Sequence, residues 1–171
     1  MAAANAVDPG EALLALYDDG LPFVYGYLVR RCGQAALAED LTGQTFLAAV
    51  HAVRRDPNTA LSVAWLVAVA RNKLVDHWRR RAREEKGLAE VAADSGSNEV
   101  TDPWDAQLDT MRAQAVLGQL GPHHRAALTL RYIDDLPVPE VAALLDRTVH
   151  ATEALLVRAR SAFRRAYEAN P

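Results

Sequence analysis

The chain has 171 residues, half of them hydrophobic, with 19 basic residues against 22 acidic ones and a single cysteine. That length holds one ordinary domain or two small ones, and abundant alanine with few β-branched runs favours an all-α protein. Lone Cys32 excludes an intramolecular disulfide and a cysteine-based zinc site. The opening MAAANAVDPGEA is no signal peptide, and the apolar run 60–70 is too short to span a bilayer, so a cytoplasmic protein without membrane insertion is expected.

The formal net charge of −3 argues weakly against a nucleic-acid partner, but the average conceals a pattern. Residues 1–60 carry four arginines against seven carboxylates, whereas 61–86 carry seven cations against three. Residues 87–111 hold six carboxylates and no cation, and 112–171 return to a balance of +2. Two basic blocks separated by an acidic one suit a protein that touches DNA at two points.

Along the chain, residues 1–10 are expected to be disordered, and 11–86 to form a first module of three or four helices. Residues 11–19 lead into Gly20-Leu21-Pro22, where a break or kink is expected, before a helix resumes over 23–32. A further helix covers 36–53, with Leu37, Leu41, Phe46, Leu47 and Val50 on one side. The polar loop Arg54-Arg55-Asp56-Pro57-Asn58-Thr59 follows, and Asn58 or Thr59 could cap the next helix. That helix, over 61–83, places Val63, Leu66, Val67, Ala70, Leu74 and Trp78 on one stripe and turns basic toward its end. Of its tryptophans, Trp65 is expected in the core and Trp78 partly buried. Asp76 and Arg80, four apart, have the spacing of an ion pair.

Residues 87–110 read as an acidic linker, with Trp104 expected to pack on a neighbouring domain or begin the next helix. The second module, 111–171, is expected to be helical over 111–120, 123–133, 137–145 and 149–167, with Pro122 at a first helical position. VPEVAALLD, a three-residue turn and a longer arginine-bearing helix fit a helix-turn-helix, whose second helix would enter a major groove. The fold expected is therefore all-α: two small helical domains, an acidic linker between them, and a helix-turn-helix in the second.

Three stretches together carry a resemblance to a known family: LAEDLTGQTFLAAV (37–50), WLVAVARNKLVDHWRRR (65–81), and 117–165 with LPVPEVAALLD and LLVRARSAFRR. In order and spacing the chain resembles an extracytoplasmic-function sigma factor of the bacterial sigma-70 family. The resemblance implies that the AEDL helix docks on the clamp coiled coil of core RNA polymerase through Glu39, Asp40, Gln44, Thr45 and Phe46. It implies that Arg54, Arg55 and Asn58 of the loop engage the promoter −10 element with Asn72, Lys73, His77, Arg79 and Arg80, opening the duplex and holding an extruded base. Amides and stacking surfaces suit splayed bases, and cations suit phosphates.

By the same resemblance, Arg147, His150, Thr152, Glu153 and Arg158 would read the −35 element. Here the chain departs from the family. Ala151-Thr152-Glu153-Ala154-Leu155 lacks the cations often found there, and Asp146 stands where glycine is usual in the turn, so an atypical −35 specificity is expected. The acidic linker would thread toward the polymerase cleft. Core polymerase and promoter DNA are the implied partners, the family commonly adds an anti-sigma factor, and no cofactor or metal is expected.

Two other readings compete. A helix-turn-helix regulator acting on duplex DNA without polymerase would not need the AEDL helix followed by the RN-x-L-x-DH helix. An enzyme reading could lean on His123-His124, but adjacent histidines point to different faces of a helix and no complementary cluster accompanies them.

Overall fold

The computed structural model describes residues 8–88 and 110–169, and among these every regular element is helical. The expectations for residues 1–7, for Trp104 and for most of the acidic linker lie outside the described residues. Two compact units divide within one helix, after Leu74.

The first unit begins with α1, Pro9–Cys32, whose opening proline presets a helical φ. It ends at Gly33, left-handed at φ 67, whose N–H donates to the Val29 carbonyl at 3.4 Å. The break expected at Gly20-Leu21-Pro22 does not occur. Pro22 lies inside the continuous helix on its exposed side, where the carbonyl one turn back can be hydrated instead of bonded.

The second helix, α2, runs Ala35–Arg55, and the third, α3, runs Val63–Leu88. Ser62 starts α3: its Oγ accepts from the Trp65 N–H at 3.1 Å and its carbonyl from the Leu66 N–H at 3.0 Å. The cap expected at Asn58 or Thr59 is thus displaced to Ser62, because those two residues are engaged in the preceding turn. Val24, Leu28, Leu41, Phe46, Leu66, Ala70 and Leu74 form the buried core of this unit.

Gly20 lets the three helices meet. A Cβ there would lie 2.7 Å from Leu66 Cδ1 and 3.7 Å from the Phe46 ring. Leu66 is fully buried and has no room to swing away. Gly20→Val is therefore expected to destabilise the unit by about 1–3 kcal/mol through overpacking, although valine is the better helix former. Urea titration followed by circular dichroism checks this; an unchanged or raised midpoint contradicts the packing described.

The tryptophans exchange their expected places: Trp78 is only 4% exposed, whereas Trp65 is half-buried. Leu66, Ala70, Leu74, Trp78 and Ala82 recur at steps of four along α3 and are all buried, and Trp65 stands one position out of that row.

The second unit comprises the rest of α3 with α4 (Thr110–Gln119), α5 (Pro122–Leu128), α6 (Val138–Leu145) and α7 (Val149–Ala169). Beyond Leu128 the expected single helix widens into a π-helical turn, Thr129–Ile133, closed by the Asp134 N–H donating to the Thr129 carbonyl at 2.9 Å. Val116, Leu128, Ala159 and Phe163 make the core, with Leu117, Leu120, Tyr132 and Tyr167 packed around it. Arg112 fastens α4 to the end of α7: its guanidinium lies 3.9 Å from the Tyr167 ring centre and donates to the Tyr167 carbonyl.

Between α6 and α7 the chain makes a tight corner. Asp146 ends α6 in the left-handed region, φ 54 and ψ 51, and the Arg147 N–H donates to the Ala142 carbonyl at 2.9 Å. The position is one that glycine fills without strain, as expected; an L-residue there costs about 1 kcal/mol. Thr148 caps α7, its Oγ1 accepting from the Ala151 N–H at 3.1 Å.

Candidate nucleic-acid interface

Three surfaces collect the residues singled out by sequence. On α2, Glu39 and Asp40 are exposed, and the half-buried Gln44 donates from Nε2 to Asp40 Oδ2 at 2.8 Å. That bond fixes one carboxylate and leaves an acidic, amide-bearing patch for a partner. Thr45 and Phe46 do not join it. Thr45 is fully buried with its Oγ1 donating to the Leu41 carbonyl at 2.8 Å, and Phe46 packs inward, its ring centre 4.7 Å from that of Tyr17. Both fall on the α2 face that meets the core. The exposed apolar residue beside the acidic patch is Leu47.

The second surface is the α2–α3 loop with the polar face of α3. Asp56 organises the loop: its Oδ1 accepts from the Asn58 N–H at 3.0 Å, and its carbonyl accepts from the Thr59 N–H at 3.0 Å and Thr59 Oγ1 at 2.7 Å. Arg54, Arg55 and the Asn58 side chain are exposed on this fixed turn. Beside it lies an apolar cavity of about 250 Å³, lined by Leu13, Leu16, Val53, Pro57 and Leu61 among others. On α3, Asn72 and Arg80 are exposed, and Lys73, His77 and Arg79 are half-buried. Arg83, exposed one turn beyond Arg80, extends the row.

Asp76 pairs not with Arg80 but with Arg79, at 3.7 Å, and Arg79 also reaches Asp146 Oδ2 at 3.1 Å. Both pairs are largely solvent-exposed on the acidic side and contribute little to stability. They hold Arg79 and leave Arg80 outward.

The third surface is the start of α7. His150, Glu153 and Arg158 are exposed and Arg147 half-buried. Thr152 is fully buried, and its Oγ1 donates to the Thr148 carbonyl at 2.9 Å, so it braces the helix and cannot reach a base. In its place the exposed face presents Ala154 and Val157. Neither residue type draws attention in the sequence, although the spacing from His150 (four and seven) marks both as its neighbours on one face. Short apolar side chains there suit thymine methyl groups.

Three histidines of the second unit, His77, His123 and His124, are held below their usual range. Burial is the main cause for all three: His123 is lowered to about 4, with Arg147, Lys86 and His124 adding repulsion; His124 also feels Arg158 and Arg165, and His77 feels Arg80 and Arg81. A folded-state value below the unfolded 6.5 means that the folded chain binds fewer protons between about pH 4 and 6.5. Stability of this unit is therefore expected to fall as pH drops through that window and to be flat above it. Urea midpoints at pH 7.5 and 5 measure the slope, and His123→Gln should reduce it; an unchanged slope contradicts the assignment.

Among the described residues no helix is long and apolar enough to cross a membrane, and no group of three or more His, Cys, Asp or Glu could hold a metal ion.

Comparison with known proteins gives these surfaces a context. The sigma-70 region 2 family profile matches residues 16–84, and the sigma-70 region 4 profile matches residues 110–163. The chain is 34% identical over 155 residues to the ECF RNA polymerase sigma factor BldN of Streptomyces coelicolor, covering 87% of this chain and 58% of that longer relative. It is 32% identical over 147 residues to the ECF RNA polymerase sigma factor SigL of Mycobacterium tuberculosis, covering 83% of this chain and 82% of the relative. Among solved structures, the fold is similar to that of a complex of the sigma factor RpoE with the anti-sigma factor NepR from Bartonella quintana (TM-score 0.54, 19% identity, 94% and 99% of the two chains covered). With two sigma-70 regions in order and relatives of this identity and coverage, the chain belongs to the extracytoplasmic-function sigma factors, the transcription-initiation factors of the sigma-70 family.

Proposed function

We propose that this sigma factor binds core RNA polymerase through the Glu39–Asp40–Gln44 patch and directs it to promoters by reading two DNA elements. The loop carrying Arg54, Arg55 and Asn58, with Asn72, Lys73, His77 and Arg80 of α3, engages the −10 element. Arg147, His150, Glu153, Ala154, Val157 and Arg158 engage the −35 element. Arg79, committed to Asp76 and Asp146, is a weaker candidate for DNA than its neighbour Arg80.

The observation that carries this reading is the loop pinned by Asp56, which holds two cations and an amide outward beside an apolar cavity. Melting a duplex costs unstacking, and a preformed pocket for a splayed base offsets it, while the arginines hold phosphates. At the other surface, Glu153 can accept from a cytosine amine but repels phosphate, which supports a −35 preference unlike that of members with cations there. The reading entails a non-enzymatic cytoplasmic subunit, with an anti-sigma factor as a third partner.

A regulator acting on duplex DNA alone is the alternative, and co-purification separates the two. The protein should capture core polymerase from a bacterial lysate in the absence of DNA. A protein that binds duplex specifically but never polymerase would contradict the proposal.

A further inference from the structure

Next to the −35 surface, and sharing Arg147 and Arg158 with it, the second unit holds a basic cleft. His123 and His124 of α5, Arg147 of the turn, Arg158 and Arg165 of α7, and Lys86 line this space of about 320 Å³, whose lining includes no carboxylate. Arg158 and Arg165 stand two turns apart on one face of α7, about 10 Å along its axis. Four permanent cations around so small a volume, with no carboxylate in the lining, repel one another and leave the cleft electropositive.

We propose that this cleft binds a short phosphate chain of two or three phosphoryl groups, and that its occupant excludes the −35 element. An acidic peptide carries one charge per side chain and spaces those charges along its backbone, so it places fewer of them in so small a cleft. A di- or triphosphate concentrates several charges within it and presents oxygens that guanidinium groups take two at a time. Arg147 and Arg158 are shared with the −35 surface, so the ligand and the duplex compete for them. The binding itself does not depend on the −35 reading; only the competition rests on it.

The test uses the full chain and inorganic tripolyphosphate at fixed physiological salt, by calorimetry and by the imidazole resonances of His123 and His124. One saturable site is expected, with both resonances moving. Arg165→Gln should weaken it by about tenfold or more, while Arg30→Gln on α1, with the same change in net charge, leaves it unaltered. Tripolyphosphate should also displace a promoter duplex selected by the full chain in holoenzyme, and Arg165→Gln should leave duplex affinity within about twofold. Equal effects of the two variants would mean diffuse charge screening and overturn the proposal, as would absence of saturable binding. Loss of duplex and tripolyphosphate affinity together in Arg165→Gln would assign the cleft to the DNA backbone and overturn it as well. If the phosphate binds as described but no duplex is ever selected, the −35 reading fails and the phosphate site stands.

Discussion

Replacing Glu39 and Asp40 together by lysine is expected to weaken binding to core RNA polymerase by about tenfold to a hundredfold, with helix content unchanged. Both side chains are exposed, so nothing in the fold is lost except the Gln44 to Asp40 hydrogen bond, an exposed contact of small net value. At the interface the change is large, because each reversed charge replaces an attraction by a repulsion against a partner surface of opposite sign. The Glu39→Gln and Asp40→Asn pair should show a smaller loss, since the shape is kept and only the attraction goes. Affinity for labelled core polymerase, measured at two salt concentrations, checks both. If the lysine variant binds as tightly as the parent, α2 is not the docking surface.

Phe163→Ala is expected to cost about 3–5 kcal/mol, the largest stability effect of any single change proposed. Phe163 is 4% exposed in the core with Val116, Leu128 and Ala159, and its ring stacks on Tyr167 at 5.8 Å. Removing it opens a cavity where α4, α5 and α7 converge, and it also loosens Tyr167, to which Arg112 is fastened. Amide hydrogen exchange should show protection falling in α4, α5 and α7, while α1 and α2 keep theirs. A loss below about 1 kcal/mol would mean that the ring is not part of a packed core. Promoter recognition at −35 should fail with it, because α7 can present His150 and Arg158 only while its other face is held.

Much of this architecture is legible from spacing alone. The four-residue apolar row of α3, the turn at 146–148 and the proline at the start of α5 follow from local chemistry and stand where the sequence suggests, while the left-handed geometry at Asp146 is implied by the family resemblance. What spacing misses is the phase of a helix to within one residue. Trp65 stands one position off the four-residue row through Leu66, Ala70, Leu74 and Trp78, and that offset alone puts Trp78 inside and Trp65 at the edge. Thr45 and Thr152 fail as contact residues for a related reason. A threonine that returns its hydroxyl to the carbonyl four residues back needs no other polar partner, so it is as easily buried as valine. Pro22 misleads in the opposite direction, since a helix tolerates proline where the carbonyl one turn earlier faces water.

The interface was less legible than the fold. Arg79 and Arg80 are indistinguishable in sequence, yet Asp76 and Asp146 engage one and leave the other outward. Ala154 and Val157 carry no chemistry that draws attention, and only the polar, exposed neighbours with which they share a face make them candidates. The pinning of the loop by Asp56 depends on a turn geometry that composition suggests but does not specify.

In the function proposed, this chain gives core RNA polymerase a promoter preference. In vitro transcription of genomic DNA by core polymerase, with and without the protein, tests it most directly. New transcripts are expected whose start sites share one upstream −10 and −35 pattern, and they should vanish when Asn72 and Arg80 are both replaced by alanine. Identical transcripts with and without the protein would contradict it.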